Sequence, residues 1–286
     1  MEARFAILLP DNPGKILEAT ALIRCLKQQV EGSFLYALVS TSTGWMIRNN
    51  PWIDEIFTWQ ARPDEQINLI RDLWPDYLID LDDSRGYRRF KRKTRVLAFT
   101  IGHRPKERLI PYRERIFDTV RLFDVHDDGE GHGFQYPDFN PDWLPAGFLT
   151  GYAVLALEGW SACRTMPEDR LVDLVALIEK PLVATGNRAE RPLAERLGQR
   201  VGCSVYPACG DFPEPETTAL ISAARAVITM DPGWAGLAAG MGKPLLWIGE
   251  AACLESIEGT VQGLDPVTGD FSAAACWIRK WMEPGS

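Results

Sequence analysis

Short apolar runs alternate with helix-length amphipathic segments along nearly the whole chain. The first run, residues 5–9 (FAILL), ends in the dense turn signal PDNPG at 10–14. Behind that turn Ile16, Leu17, Ala19, Leu22, Ile23 and Leu26 recur at helical spacing, with Lys15, Glu18, Arg24, Lys27 and Gln28 on the wet side. Strand-type runs follow at 34–39, 53–57, 77–81 and 96–100, with a helical stretch at 65–73. In the second half, runs at 154–157, 182–185, 204–206, 227–229 and 245–248 alternate with helical segments at 167–178, 188–197, 216–225 and 234–241. A last helix is expected at 271–281, with Trp277, Ile278 and Trp281 as its apolar stripe. Continuous apolar strands separated by helices mark a parallel sheet covered on both faces. The pattern therefore predicts an α/β chain of two Rossmann-like halves. Between them, residues 125–149 are rich in Asp, Gly, Pro and aromatics, a composition suited to an irregular connection. The boundary is expected at 147–151, giving domains 1–148 and 149–286.

With 286 residues, 46% of them hydrophobic, the chain can bury cores for two domains of ordinary size. A net charge of −8 argues against a general nucleic-acid binder, whose phosphate contacts require a basic face. The apolar part of the amino-terminal MEARFAILLPD is too short for a signal peptide or a membrane span, so a cytoplasmic protein is expected. The cysteines at 25, 163, 203, 209, 253 and 276 fall at no metal-ligand spacing and are expected to be reduced and structural. Among the histidines His103, His126 and His132, the group His126, Asp127, Asp128 and His132 reads as a metal site or as a solvated acidic loop, the second being favoured. The basic run 87–95 similarly reads as a solvated helix face, or as a surface for an anionic acceptor.

The first loop carries neither Gly-x-Gly-x-x-Gly nor a P-loop, so no dinucleotide or nucleoside triphosphate is called for, and no cofactor is expected. The chain's organising stretch is 226–249. There an apolar run breaks at Asp231, Pro232 and Gly233, passes through a helix of small residues, and resumes at Leu245. Asp231 would sit at the carboxyl end of a strand, before a helix start whose N–H groups suit an anion. It reads equally well as a plain helix cap.

This stretch resembles the signature of the heptosyltransferase-type glycosyltransferases, glycosyltransferase family nine, in which Asp, Ser or Thr, Gly, two variable residues, His, an apolar residue and Ala precede Gly-Lys-Pro. Asp231, Gly233, Leu237, Ala238, Ala239, Gly242, Lys243 and Pro244 match; Pro232 and Gly236 stand where the pattern has Ser or Thr and His. The opening LLPDNPGKILEATALIRCLKQ, NPWIDEI at 50–56 and PDYLIDL at 75–81 resemble further family phrases in the same order. Arg164-Thr165-Met166-Pro167-Glu168 resembles a Lys-x-Trp-Pro-x-Glu phrase, and 185–190 a Gly-x-x-x-Glu turn ending in Glu190.

The resemblance implies a GT-B fold, two Rossmann-like domains facing across a cleft, with the last helix packing back toward the first domain. It implies metal-independent transfer of a sugar from a nucleotide-sugar donor to a glycan or glycolipid acceptor, in assembly of a bacterial surface glycan such as lipopolysaccharide. Peripheral membrane association through the acceptor follows from that role. It assigns Arg164 to the donor phosphates, Glu190 to the nucleoside, and Asp231 with the N–H groups of Gly233 and Trp234 to the sugar diphosphate. The family's catalytic Asp follows the Gly of the first loop, where this chain has Lys15 after Gly14. Asp11, the acidic residue of the loop from Pro10 to Lys15, is then the candidate base, and Lys15 is suited to holding an anion. The alternative is a degenerate relative that binds a nucleotide sugar or a protein partner without transfer.

Overall fold

The computed structural model describes residues 3–59, 63–82, 94–101, 110–158, 160, 166–201, 205–249 and 259–283, with side chains of 63–66 left aside. The chain divides into two compact units, Met1–Gln135 and Tyr136–Ser286. The first is built on strands β1 (Ala3–Leu8), β2 (Ser33–Ser40), β3 (Glu55–Trp59), β4 (Tyr77–Asp80) and β5 (Leu97–Thr100). They form a parallel five-stranded sheet in the order β3-β2-β1-β4-β5. Helix α1 (Pro13–Gln29) starts where the turn signal predicts, because the Asn12 side chain accepts the Lys15 N–H at 3.0 Å and Pro13 needs no donor in the first turn. It buries Ile16, Leu17, Leu22, Ile23 and Leu26 completely. Helices α2 (Pro63–Leu73) and α3 (Tyr112–Asp118) complete the unit's regular helices among the described residues.

The acidic loop behind α3 is solvent-exposed, as expected, but it is also anchored. Arg24, buried in α1, donates two hydrogen bonds to Asp128 (2.6 and 2.9 Å) and one to the Gly131 carbonyl. Arg113 clasps Asp127 in the same forked way and reaches Glu18. Gln29 exchanges two hydrogen bonds with the His126 backbone, each 2.8 Å. Cys25, Asp127 and Asp128 lie close enough to hold a metal ion, but both carboxylates are already committed to guanidinium groups. The loop is thus a strap across α1 and α3.

The second unit holds β6 (Ala153–Ala156), β7 (Leu182–Thr185), β8 (Val205–Pro207), β9 (Ala226–Thr229), β10 (Leu245–Ile248) and β11 (Val261–Leu264). All pair in parallel, in the order β11-β10-β9-β6-β7-β8. Its helices are α4 (Glu168–Ile178), α5 (Arg191–Arg200), α6 (Glu214–Ala223), α7 (Pro232–Gly240) and α8 (Phe271–Trp281). The apolar stripe of α8 enters this unit's own core: Ile278 is fully buried, with Trp277 and Trp281 packed beside it. The irregular stretch before β6 also packs here, Phe139 against Tyr152, Trp143 against Phe212 and Phe148 against Tyr206.

Most elements coincide with the hydrophobic pattern to within a few residues; β11 and α3 escaped it. β11 is an edge strand with Gln262 and Gly263 exposed, and α3 buries just Arg115 and Ile116, so neither carries an apolar run. No helix among the described residues is long and apolar enough to cross a membrane. Cys25, Cys209 and Cys276 are free thiols; the other cysteines and the basic run 87–93 lie outside the described residues.

Candidate functional site

The strand order of the second sheet reverses between β6 and β9, and open α/β sheets place ligands at the carboxyl ends of strands at such a point. Ala156 pairs with Thr229 on one side and Thr185 on the other, so the loops leaving β6, β7 and β9 emerge side by side. They carry Glu158, Glu190 and Asp231.

Asp231 caps α7. Its Oδ1 accepts the Trp234 N–H at 2.9 Å, and its own N–H donates to Thr229 Oγ1 at 3.0 Å. Trp234 turns its ring into the core and its N–H is spent on the cap, so it is not open to a ligand as expected. Pro232 has no N–H, and that of Ala235 is taken by the Asp231 carbonyl. Among the described residues, Gly233 therefore offers the first-turn N–H left for an anion. The small residues that follow let α7 lie close on the sheet, with Ala235, Leu237 and Ala238 fully buried. Gly242, at φ 69°, ends the helix as a left-handed residue. The Lys243 ammonium then donates to the Ala224 carbonyl at 3.0 Å, capping the end of α6, and burial lowers its pKa. The Gly-Lys-Pro phrase is thus explained by architecture.

Glu190 closes the turn after β7. It is buried, and its Oε2 accepts the Asn187 N–H at 3.1 Å. Gly186 makes this turn possible at φ 155°, with Cys209, Glu190 and Leu157 so near that a Cβ would touch each of them at 3.3 to 3.5 Å. Beside the turn lies a cavity of about 600 Å³, walled by Trp160, Met166, Pro167, Glu190, Pro192 and Leu193 with Glu168 and Arg196 at its charged margin. The cavity is open on one side and mixed in lining, with Glu168, Glu190 and Arg196 beside its apolar side chains. Arg164 lies outside the described residues.

Glu158 was passed over by motif, since its signal is three-dimensional. Its Oε2 is buried without a hydrogen-bond partner. Burial pushes the carboxyl up to about 7, with Asp231, Glu190 and Glu214 adding to the rise.

In the first unit, Asp11 follows β1 at the corresponding reversal, between β1 and β4. It is exposed, and its Oδ1 accepts the Ser42 hydroxyl at 2.7 Å. Lys15 sits in the first turn of α1, its ammonium 5.4 Å from the centre of the Tyr112 ring. Asp80, the last residue of β4, and Asp82 have an Asp-x-Asp spacing, and Asp80 Oδ1 accepts the Asp82 N–H at 2.9 Å.

Two doubly wound parallel units, with a ligand edge at the reversal of each sheet, define the fold of the GT-B glycosyltransferases. Within that fold the chain is similar to heptosyltransferases. E. coli heptosyltransferase WaaC with ADP superposes at a TM-score of 0.71 over 97% of this chain and 99% of that one, at 15% identity. A glycosyl transferase of family 9 from Veillonella parvula gives 0.71 over 92% and 87%, at 12% identity. E. coli ADP-heptose lps heptosyltransferase II gives 0.69 over 99% and 98%, also at 12%. No protein-family model matches the chain, and no curated protein does. At such identities the likeness establishes the fold.

Proposed function

We propose that the protein is a glycosyltransferase of heptosyltransferase type, taking a nucleotide-activated sugar as donor and a glycan or glycolipid as acceptor. The observation that carries this reading is the cavity beside the carboxyl edge of the second sheet, with Glu190 in its wall and the capped start of α7 on a neighbouring strand end. The nucleoside would occupy the cavity, Glu190 accepting from its hydroxyls. The diphosphate would meet Gly233 and Arg164, without a metal ion. Asp231 would orient the sugar through the carboxylate oxygen not used by the cap. Asp11, held by Ser42, is the proposed base for the acceptor hydroxyl, with Lys15 beside an anionic part of either substrate.

A binding relative without transfer is the second reading, favoured by Lys15 in the first turn of α1, where the resembling family has its catalytic Asp. Thermal shift against nucleoside diphosphates and their sugars tests the donor site: a ligand at one hundred times its Kd should stabilise by about 2.7 kcal/mol. Release of free nucleotide from the stabilising sugar nucleotide, in the presence of acceptor, separates transferase from binder. A panel without any shift would refute the transferase and the nucleotide-sugar binder alike, leaving a relative that binds a protein partner.

A further inference from the structure

The proposed donor edge contains one acid whose surroundings differ from those of the others. Glu158 stands as far beyond Ala156 as Asp231 stands beyond Thr229, its partner in the β6–β9 register. Yet its Oε2 is buried with no hydrogen-bond partner, and the Thr185 hydroxyl at the end of β7 is buried and unpartnered too. Among the described residues, the charges acting on Glu158 come from the strand ends around it: Asp231 before α7, Glu190 before α5 and Glu214 at the start of α6. Cys209, in the turn after β8, adds a thiol that burial pushes up to about 12, hence neutral; Arg191 and Asp211 act on that thiol in turn. A carboxyl with one oxygen enclosed and unpartnered, beside further carboxylates, favours the neutral acid, with the Glu158 backbone N–H opposing part of the rise. A diphosphate arriving at this edge brings further negative charge. By linkage, an anion that binds the protonated form more tightly must take up a proton when it binds the ionised one.

We infer that Glu158 is the proton-carrying residue of the donor site, so that a diphosphate-bearing ligand binds together with one proton held on the Glu158 carboxyl. The inference rests on the donor-site reading above. Glu158 is thereby a positioning residue: it sets the charge of the site without taking part in transfer. It also makes donor affinity a function of pH, tight below neutrality and weakening above.

The test is calorimetric titration of the full chain with ADP-glucose, UDP-glucose and GDP-mannose, whose diester phosphates do not titrate near pH 7. Each titration is run in phosphate and in Tris, buffers of different ionisation enthalpy. At pH 8 a group titrating near 7 is about nine-tenths ionised, so uptake of about 0.9 proton per bound ligand is expected. Affinity should fall by up to about tenfold per pH unit above 7. Glu158→Gln, neutral at every pH, should bind with no buffer dependence and a flat pH profile; Glu158→Met serves if that variant does not fold. Binding by the parent without proton uptake at pH 8 would overturn the inference alone, as would uptake that survives in the Gln variant. Absence of binding by all three sugar nucleotides would instead sink the donor-site reading, and this inference with it.

Discussion

Replacing Glu158 by Gln should stabilise the protein at alkaline pH and leave it nearly unchanged in acid. In the unfolded chain the carboxyl titrates near its ordinary value of 4.5, whereas burial pushes it up to about 7 in the fold. Between those values the folded state binds the extra proton. The slope of stability against pH is therefore negative there, and the cost of ionising the buried group is complete once pH passes the folded value. The difference corresponds to about 3 kcal/mol at pH 8 and under about 1 kcal/mol at pH 5, at 1.36 kcal/mol per pH unit. Glutamine keeps the size and stays neutral, so the gain of the variant over the parent should grow by about 2 to 3 kcal/mol across that range. For a unit of this size that is roughly 5 to 10 °C in the melting transition. Differential scanning calorimetry of both proteins at pH 5, 6, 7 and 8 reads it directly. A gain that is the same at all four values would show that Glu158 ionises normally in the fold and would refute the reasoning.

Asp128→Ala should destabilise the first unit by about 2 to 3 kcal/mol in urea unfolding, because it leaves the buried Arg24 guanidinium without its forked partner. Lys243→Met should cost about 1 kcal/mol by removing the cap on the Ala224 carbonyl, with nucleotide affinity unchanged. Asp231→Asn should keep the α7 cap and the melting temperature while weakening sugar-nucleotide binding, whereas Asp231→Ala loses about 1 kcal/mol of stability as well. Asp11→Asn should lower transfer by roughly 10² to 10⁴ with donor affinity unchanged; unaltered turnover would place the base elsewhere.

Where a strand is buried on both faces its apolar run is legible in the sequence, as at Leu182–Thr185 and Leu245–Ile248, which coincide with the predicted bounds. The edge strand β11, with Gln262 and Gly263 exposed, leaves no such trace and was missed, whereas the more apolar edge strands β3 and β5 were legible. Turn chemistry was legible as well: Asn12 before Pro13 and Asp231 before Pro232 are both caps in the structure. The partners of charged residues were not, because they are distant in the chain. Arg24 and Asp128 are separated by 104 positions, and nothing local distinguishes Asp127-Asp128 from a solvated acidic pair. Of the proposed site, Asp231 is singled out by its turn together with the family resemblance, and Glu190 by the resemblance alone. Glu158 is not, since its character arises from what surrounds it.

That contrast bears on how the second sheet handles charge. Asp231 and Glu158 occupy the same level on neighbouring strands, so backbone position does not distinguish them. What differs is the supply of donors. The chain after Asp231 turns into α7 and returns the Trp234 N–H to its carboxylate, with the helix dipole behind it. After Glu158, by contrast, Oε2 is enclosed with no donor to meet it. One acid is solvated by a helix start; the other keeps one oxygen enclosed and unpartnered. A ligand bearing both phosphates and a sugar needs opposite things from such an edge: an acceptor for its hydroxyls and tolerance of its negative charge. Two ionised carboxylates would supply the first and defeat the second. Under the proposed donor reading, a neutral Glu158 would remove one negative charge from the edge that meets the phosphates while Asp231 would retain an acceptor oxygen, an environment-driven division between two like groups.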